Sequence, residues 1–192
     1  GKPTTFAVGG PPKALQVADV NNDGIVDLVT LNQHSVSILL GNGDGTFADT
    51  QNTLLDGFTG SIDGFIGSAL TVVDINGDGL QDVVANDTNE DIAVLLGNGT
   101  AALETPLLYK GAVGGFHRPQ HTVGDFDSDG VLDVAFADYS FFTGSFVSVF
   151  PGNGNGTLQA PHVLPEFNDE NHIRYATFQG RNDDFDGDGK DD

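Results

Sequence analysis

The sequence contains no cysteine, which removes disulfides, zinc thiolates and thiol nucleophiles from consideration while leaving the compartment open. Basic residues are scarce: Lys and Arg total 7 against 28 Asp and Glu, a net charge of -21. Nucleic acid and anionic membrane both require a basic footprint, so neither is an expected partner. No apolar run approaches the ~18 residues of a membrane span. The opening GKPTTFAVGG lacks the apolar segment of a signal peptide, so the chain reads as a mature or excised piece. Helix caps followed by a 3.6-residue apolar period are also missing.

What remains is informative. The 192 residues suffice for one ordinary domain or for part of a repeat array. An acidic excess can signal disorder. Here, however, 14 Phe and many Val, Leu and Ile alternate with polar residues, which describes a folded chain whose acids hold cations.

One nine-residue stretch occurs four times: DVNNDGIVD (19–27), DINGDGLQD (74–82), DFDSDGVLD (125–133) and DFDGDGKDD (184–192). The starts are 55, 51 and 59 residues apart. An alternating stretch such as ALQVADV or ALTVVDI precedes the loop. The first three loops are followed by an apolar run, by a second such run, and by an Asn-Gly turn at Asn42, Asn98 or Asn153. Each complete repeat therefore reads strand, acidic loop, strand, strand, turn, strand. Asn-Gly suits a tight hairpin, where positive φ is needed. Four strands at a period of roughly 40 to 60 residues mark the blades of a β-propeller.

The expected fold is all-β. Blades of four antiparallel strands make three full repeats plus a partial fourth within one unit, residues 1–192. TTFAVGG matches the outer-strand segment that follows the turns, so it is expected to be the fourth strand of an incomplete blade. An arc of this kind leaves blade faces and strand edges open, which invites pairing. The expectation is a segment of a larger propeller of about six to eight blades, or completion by a second chain.

The loop positions dictate a ligand chemistry. Oxygen side chains recur at positions 1, 3, 5 and 9: Asp19, Asn21, Asp23 and Asp27; Asp74, Asn76, Asp78 and Asp82; Asp125, Asp127, Asp129 and Asp133; Asp184, Asp186, Asp188 and Asp192. Position 7 contributes a backbone carbonyl, from Ile25, Leu80, Val131 or Lys190, so its side chain is unconstrained. Hard oxygen donors in this number suit Ca2+, at up to four sites. An EF-hand is excluded: position 12 is Thr30, Ala85 or Phe136 rather than Glu, and the flanks are strands. A dockerin-like loop fails for the same missing acid. Turns alone explain one Asp/Asn/Gly stretch; four in register call for more. The ligand positions of the loops hold 14 of the 28 acids, which would repel one another without a cation.

These loops, the LLGNGDGTF-type hairpins and AVGGPPKALQVADV together resemble the FG-GAP/VCBS repeats of integrin α-subunit heads and many secreted bacterial proteins. The resemblance spans nearly the whole chain. It implies a β-propeller with calcium between the first two strands of each blade, calcium that is mainly structural, and an extracellular or cell-surface location. It says little about the ligand, because the family spans adhesion heads, lectins and accessory domains of enzymes; the expected function is adhesion or recognition of a protein or glycan ligand. No segment corresponds to an integrin ligand site.

Departures from the repeat mark candidate ligand-binding loops. Residues 56–68 form a longer link than its counterpart before the first loop. GGFHRPQH brings His117, Arg118 and His121, and NHIRYATF brings His172, Arg174 and Tyr175. The plainest reading is that these cations offset nearby acids while Tyr175 packs. A second reading is a glycan-binding site, as in a lectin. A third is a polysaccharide lyase, with His117, His172, Arg174 and Tyr175 as candidates for base, charge neutraliser and proton donor in β-elimination. Asn86, Asn98 and Asn155 head N-glycosylation patterns, two of which the turns already explain.

Overall fold

The computed structural model describes residues 4–57, 69–87, 91–111, 120–140 and 144–163. They contain twelve strands and no helix. No helix is long and apolar enough to cross a membrane among the described residues. The first sheet runs β1 (Pro12–Ala18), β2 (Asp27–Asn32), β3 (Ser35–Leu39), β4 (Gln51–Leu54). The second runs β5 (Leu70–Val73), β6 (Asp82–Asn86), β7 (Ile92–Leu95), β8 (Leu107–Tyr109). The third runs β9 (Gln120–Gly124), β10 (Asp133–Ser140), β11 (Gly144–Phe150), β12 (His162–Val163). Every pairing is antiparallel and joins neighbours in sequence. The all-β expectation holds, with one sheet per complete repeat. The fourth repeat, including the loop at 184–192, lies outside the described residues.

Period-two alternation decides how the sheets meet. In the first sheet Val29 pairs with Ile38 and Leu31 with Val36, which places all four on one face. That face packs on Val83, Ala85, Ala93 and Leu95 of the second sheet. The opposite face of the second sheet, with Val84, Ile92 and Val94, packs on Val134, Phe136 and Phe150 of the third. The middle sheet is thus buried on both sides, and β6 and β7 are buried throughout. Each such aliphatic side chain contributes about 1.5–3 kcal/mol by leaving water. The described sheets stack in chain order and do not close on one another.

The remaining face of the first sheet is different. Thr30, Asn32, Ser35, Ser37 and Asn52 form a hydrogen-bonded polar network across it. Leu15, Val17 and Leu54 share that face by register and stay more than half exposed.

Two local expectations need correction. Residues 4–10 form no strand. They lie against the first sheet instead: Gly9 N–H donates to Ser37 Oγ, Thr50 Oγ1 donates to the Ala7 carbonyl, and the Phe6 and Phe47 rings meet edge-on at 5.1 Å. The Asn-Gly turns are also wider than a two-residue hairpin. Isolated bridges Gly41–Phe47, Gly97–Leu103 and Gly152–Leu158 close them. Only the glycine of each pair has positive φ (Gly43 77°, Gly99 74°, Gly154 72°). Backbone bonds close all three alike, from Ala48, Glu104 and Gln159 N–H to the Leu40, Leu96 and Pro151 carbonyls, and in two of them Asn42 Nδ2 also donates to Thr46 Oγ1 and Asn153 Nδ2 to Thr157 Oγ1.

Candidate metal centre

Each described acidic loop starts directly after the first strand of its sheet and ends on the first residue of the second. The chain must reverse within that span, and two positions make this possible. Position 4 is left-handed in all three loops (Asn22 57°, Gly77 75°, Ser128 62°), as is the glycine at position 6 (Gly24 83°, Gly79 85°, Gly130 84°).

The position-1 carboxylate organises the turn. Asp19 accepts the N–H groups of Asp23 and Gly24 at 3.0 and 2.8 Å. Asp74 accepts those of Asp78 and Gly79 at 3.0 and 2.8 Å, and that of Gly77 at 2.8 Å. Asp125 accepts those of Asp129 and Gly130 at 3.1 and 2.9 Å. The position-5 carboxylates Asp23, Asp78 and Asp129 each accept the position-7 N–H, of Ile25, Leu80 and Val131, at 2.8 Å. The position-3 side chains Asn21, Asn76 and Asp127 accept the position-5 N–H. Positions 1, 3 and 5 therefore each accept a backbone N–H from within their own loop.

Position 9 does more than the sequence reading assigns to it. Asp27, Asp82 and Asp133 are buried, and both oxygens of each carry a backbone N–H. One comes from position 2 of the loop (Val20 2.9 Å, Ile75 3.0 Å, Phe126 3.0 Å). The other comes from the glycine that opens the Asn-Gly turn (Gly41 2.7 Å, Gly97 2.7 Å, Gly152 2.8 Å). This carboxylate staples the loop to the far turn of its own sheet. Burial pushes the Asp82 carboxyl up from its ordinary value, against the two N–H donors, with Asp78 and Asp74 adding to the rise.

The donor set fits a hard cation. In the third loop Asp125, Asp127 and Asp133 each offer a carboxylate oxygen, and the three lie within 4.8 Å of one another. The first two loops carry Asn where the third has Asp127, so their charge is lower by one. Carboxylate oxygens keep a lone pair beyond the backbone bond they accept. Oxygen-only donors exclude a soft metal and suit calcium. A bound ion would supply the charge that offsets the clustered carboxylates.

Other candidates separate. His117, Arg118, His172, Arg174 and Tyr175 lie outside the described residues, as do Asp184, Asp186, Asp188, Lys190 and Asp192. His121 is buried on β9 and points at the second sheet. Its Nδ1 lies 2.7 Å from Asn86 Oδ1 and its Nε2 2.9 Å from Thr71 Oγ1. Asn86 Oδ1 also accepts Ala69 N–H, so Nδ1 carries the proton and Nε2 accepts from Thr71. Burial lowers the His121 pKa to about 4, which keeps the ring neutral. Beside it, β1, β5 and β9 border a cavity of about 570 Å3 whose polar side chains, Gln16, Thr71, Gln120, His121 and Thr122, carry no formal charge with His121 neutral. Asn86 is buried, whereas Asn98 and Asn155 are exposed.

Two further loop features escape sequence reasoning. The Gly41, Gly97 and Gly152 partners of position 9 are distant in sequence, although their place before each Asn-Gly pair is a signal. Asn22 Nδ2 donates to the Gly79 carbonyl at 3.1 Å, which joins the first loop to the second. Position 4 varies between repeats, so no pattern announces that bond.

No curated protein matches the chain. The solved structures that share its fold include two from different organisms. One concerns the specific recognition of non-reducing terminal N-acetylglucosamine by an Agrocybe aegerita lectin, at 20% identity and TM-score 0.54, covering 80% of this chain and 39% of that one. The other is the Tc holotoxin pore of Photorhabdus luminescens, at 18% identity and TM-score 0.53, covering 82% of this chain and 7% of that one. This chain therefore spans well under two thirds of either. The model of the FG-GAP-like repeat matches residues 19–85 and 74–136. Those matches cover more than half of the chain and begin on the first residue of the first and second loops, so the chain belongs to the FG-GAP-like repeat family.

Proposed function

We propose that the chain is a calcium-stabilised, extracellular ligand-binding module of β-propeller type, and that each four-stranded sheet is one blade. The observation that carries this reading is the convergence of Asp125, Asp127 and Asp133 to within 4.8 Å in a loop whose hydrogen bonding repeats in the other two sheets. Calcium is structural here, with up to four ions at the four loops. It removes the repulsion that fourteen carboxylates at the ligand positions impose on a chain of charge -21. Each ion also ties the end of a blade's first strand to the start of its second. Calorimetric titration of chelator-stripped chain tests the reading. Saturable heat with calcium supports it, and none overturns it.

The ligand is a protein or a glycan, met by adhesion or recognition. A glycan is favoured by the cavity beside β1, β5 and β9, whose uncharged amides and hydroxyls suit a neutral polyol better than an ion. The Agrocybe lectin that shares the fold supports the same choice. The alternative of a polysaccharide lyase rests on His117, His172, Arg174 and Tyr175. A glycan array beside a lyase assay on uronic-acid polymers separates binding from cleavage. The exposed Leu15, Val17 and Leu54 on the first sheet's outer face meet a further blade or a second chain. Light scattering across a concentration series tests that association.

A further inference from the structure

We infer that Asn22 is a positioning residue for the second loop, so that cation binding there depends on the first loop; this rests on the calcium reading above. Asn22 sits at position 4 of the first loop, between the candidate ligands Asn21 and Asp23. Its backbone is held left-handed, at φ 57°. Its side chain leaves its own loop and donates to the Gly79 carbonyl of the second at 3.1 Å. That carbonyl and the Leu80 N–H belong to one peptide unit. The Leu80 N–H donates to Asp78 Oδ1 at 2.8 Å, and Asp78 is a candidate ligand of the second loop. A continuous hydrogen-bonded path thus runs from Asn22 through one peptide to a second-loop carboxylate. Bonds in such a path polarise one another. The same peptide precedes the Leu80 carbonyl at position 7, so Asn22 also limits how that carbonyl can turn.

The first loop controls where Asn22 points. Asn21 Nδ2 donates to Asp23 Oδ2 at 2.8 Å, and Asp23 N–H donates to Asp19 at 3.0 Å, so both neighbours of Asn22 are tied to the first site. A cation there immobilises them and keeps Asn22 aimed at Gly79. By linkage, order in the second loop favours the first site equally. The relay ends at the second loop. Its own position 4 is Gly77, which has no side chain to offer the third. Among the described loops the dependence is therefore confined to the first two. An exposed hydrogen bond of this kind supports a change of about two- to fivefold in apparent affinity.

The experiment is a calcium titration of the full chain labelled with 15N-glycine. The amides of Gly24, Gly79 and Gly130 report the three loops separately. Asn22→Gly keeps the left-handed backbone and deletes the donor, and Asp19→Ala weakens the first site itself. Asp19→Ala is expected to raise the Gly79 midpoint about two- to fivefold when Asn22 is present and to leave it unchanged in the Asn22→Gly background. The Gly130 midpoint stays constant throughout. An equal Gly79 shift in both backgrounds, no shift in either, or a parallel Gly130 shift overturns the inference. If none of the three amides of the unmutated chain responds to calcium, the calcium reading fails, and this dependence with it.

Discussion

Asp82 and Gly97, fifteen residues apart, are joined by a 2.7 Å hydrogen bond from the Gly97 N–H to the buried Asp82 carboxylate. The other Asp82 oxygen accepts the Ile75 N–H at 3.0 Å. The same arrangement recurs at Asp27 and at Asp133. Position 9 is therefore a backbone anchor in its own right, whatever ion the loop holds.

Asp82→Ala is expected to destabilise the chain by about 2–4 kcal/mol even in chelator, because it leaves two shielded N–H groups without an acceptor. Asp78→Ala, whose partners are exposed, costs less than about 1 kcal/mol under the same conditions. Urea unfolding of both variants in chelator makes the comparison. Equal midpoints would remove the anchor role.

The glycine side of the anchor is sterically closed. A Cβ at Gly97 would lie 2.1 Å from the Gln81 carbonyl oxygen, and one at Gly41 or Gly152 would meet a backbone oxygen at 2.3 or 2.2 Å. Backbone cannot swing aside as a side chain can. Gly97→Ala is expected to cost about 2–4 kcal/mol. Gly45 has open space around it and a φ of 85°, so Gly45→Ala costs only the left-handed penalty of about 1–2 kcal/mol. Thermal melts rank the two, and the reverse order would contradict the packing account.

Calcium should raise the melting temperature, with each site adding about 1.4 kcal/mol at ten times its dissociation constant. At limiting calcium, Asp125→Ala and Asp129→Ala are expected to lower the melting temperature more than Asp49→Ala, which lies outside any loop and is exposed. A melting curve that a chelator leaves unchanged would remove calcium from the stability of this protein.

His121 predicts an acid-side loss of stability. Its folded pKa of about 4 lies below the ordinary 6.5, because burial disfavours the charged ring. The unfolded chain therefore binds the extra proton first as pH falls. The contribution is whole above about pH 6.5 and is lost as pH drops through the window to about 4, up to about 3 kcal/mol. His121→Gln keeps a donor and an acceptor but cannot titrate. The difference between the two proteins should change with pH only inside that window. A constant offset from pH 7 to 4 would show that His121 is not the group responsible.

The repeat, the strand content and the four oxygen-rich loops were legible in the chain because they depend on short-range rules. Side-chain alternation assigns faces, Gly24, Gly79 and Gly130 permit the reversal, and Asp or Asn at odd positions supplies oxygens that only a loop can gather. None of these needs a distant partner. The register of each loop against the next strand follows equally locally, since Asp27, Asp82 and Asp133 open that strand.

Contacts between repeats obey no such rule. That Asn22 reaches Gly79 and that His121 lies between Asn86 and Thr71 were decided by stacking one sheet upon another, whereas Asp82 meets Gly97 through strand pairing within its own sheet. His121 stands beside His117 in the sequence and reads there as part of a surface loop. Its strand register turns it inward, where only a neutral ring with both nitrogens bonded can stay. The turns are wider than a two-residue hairpin in all three sheets, closed by backbone bonds from Ala48, Glu104 and Gln159 to the Leu40, Leu96 and Pro151 carbonyls. Local chemistry determined which residues turn, pair and carry oxygen. Tertiary packing decided which of them meet, because a contact between distant segments exists only once both are held in place by everything else.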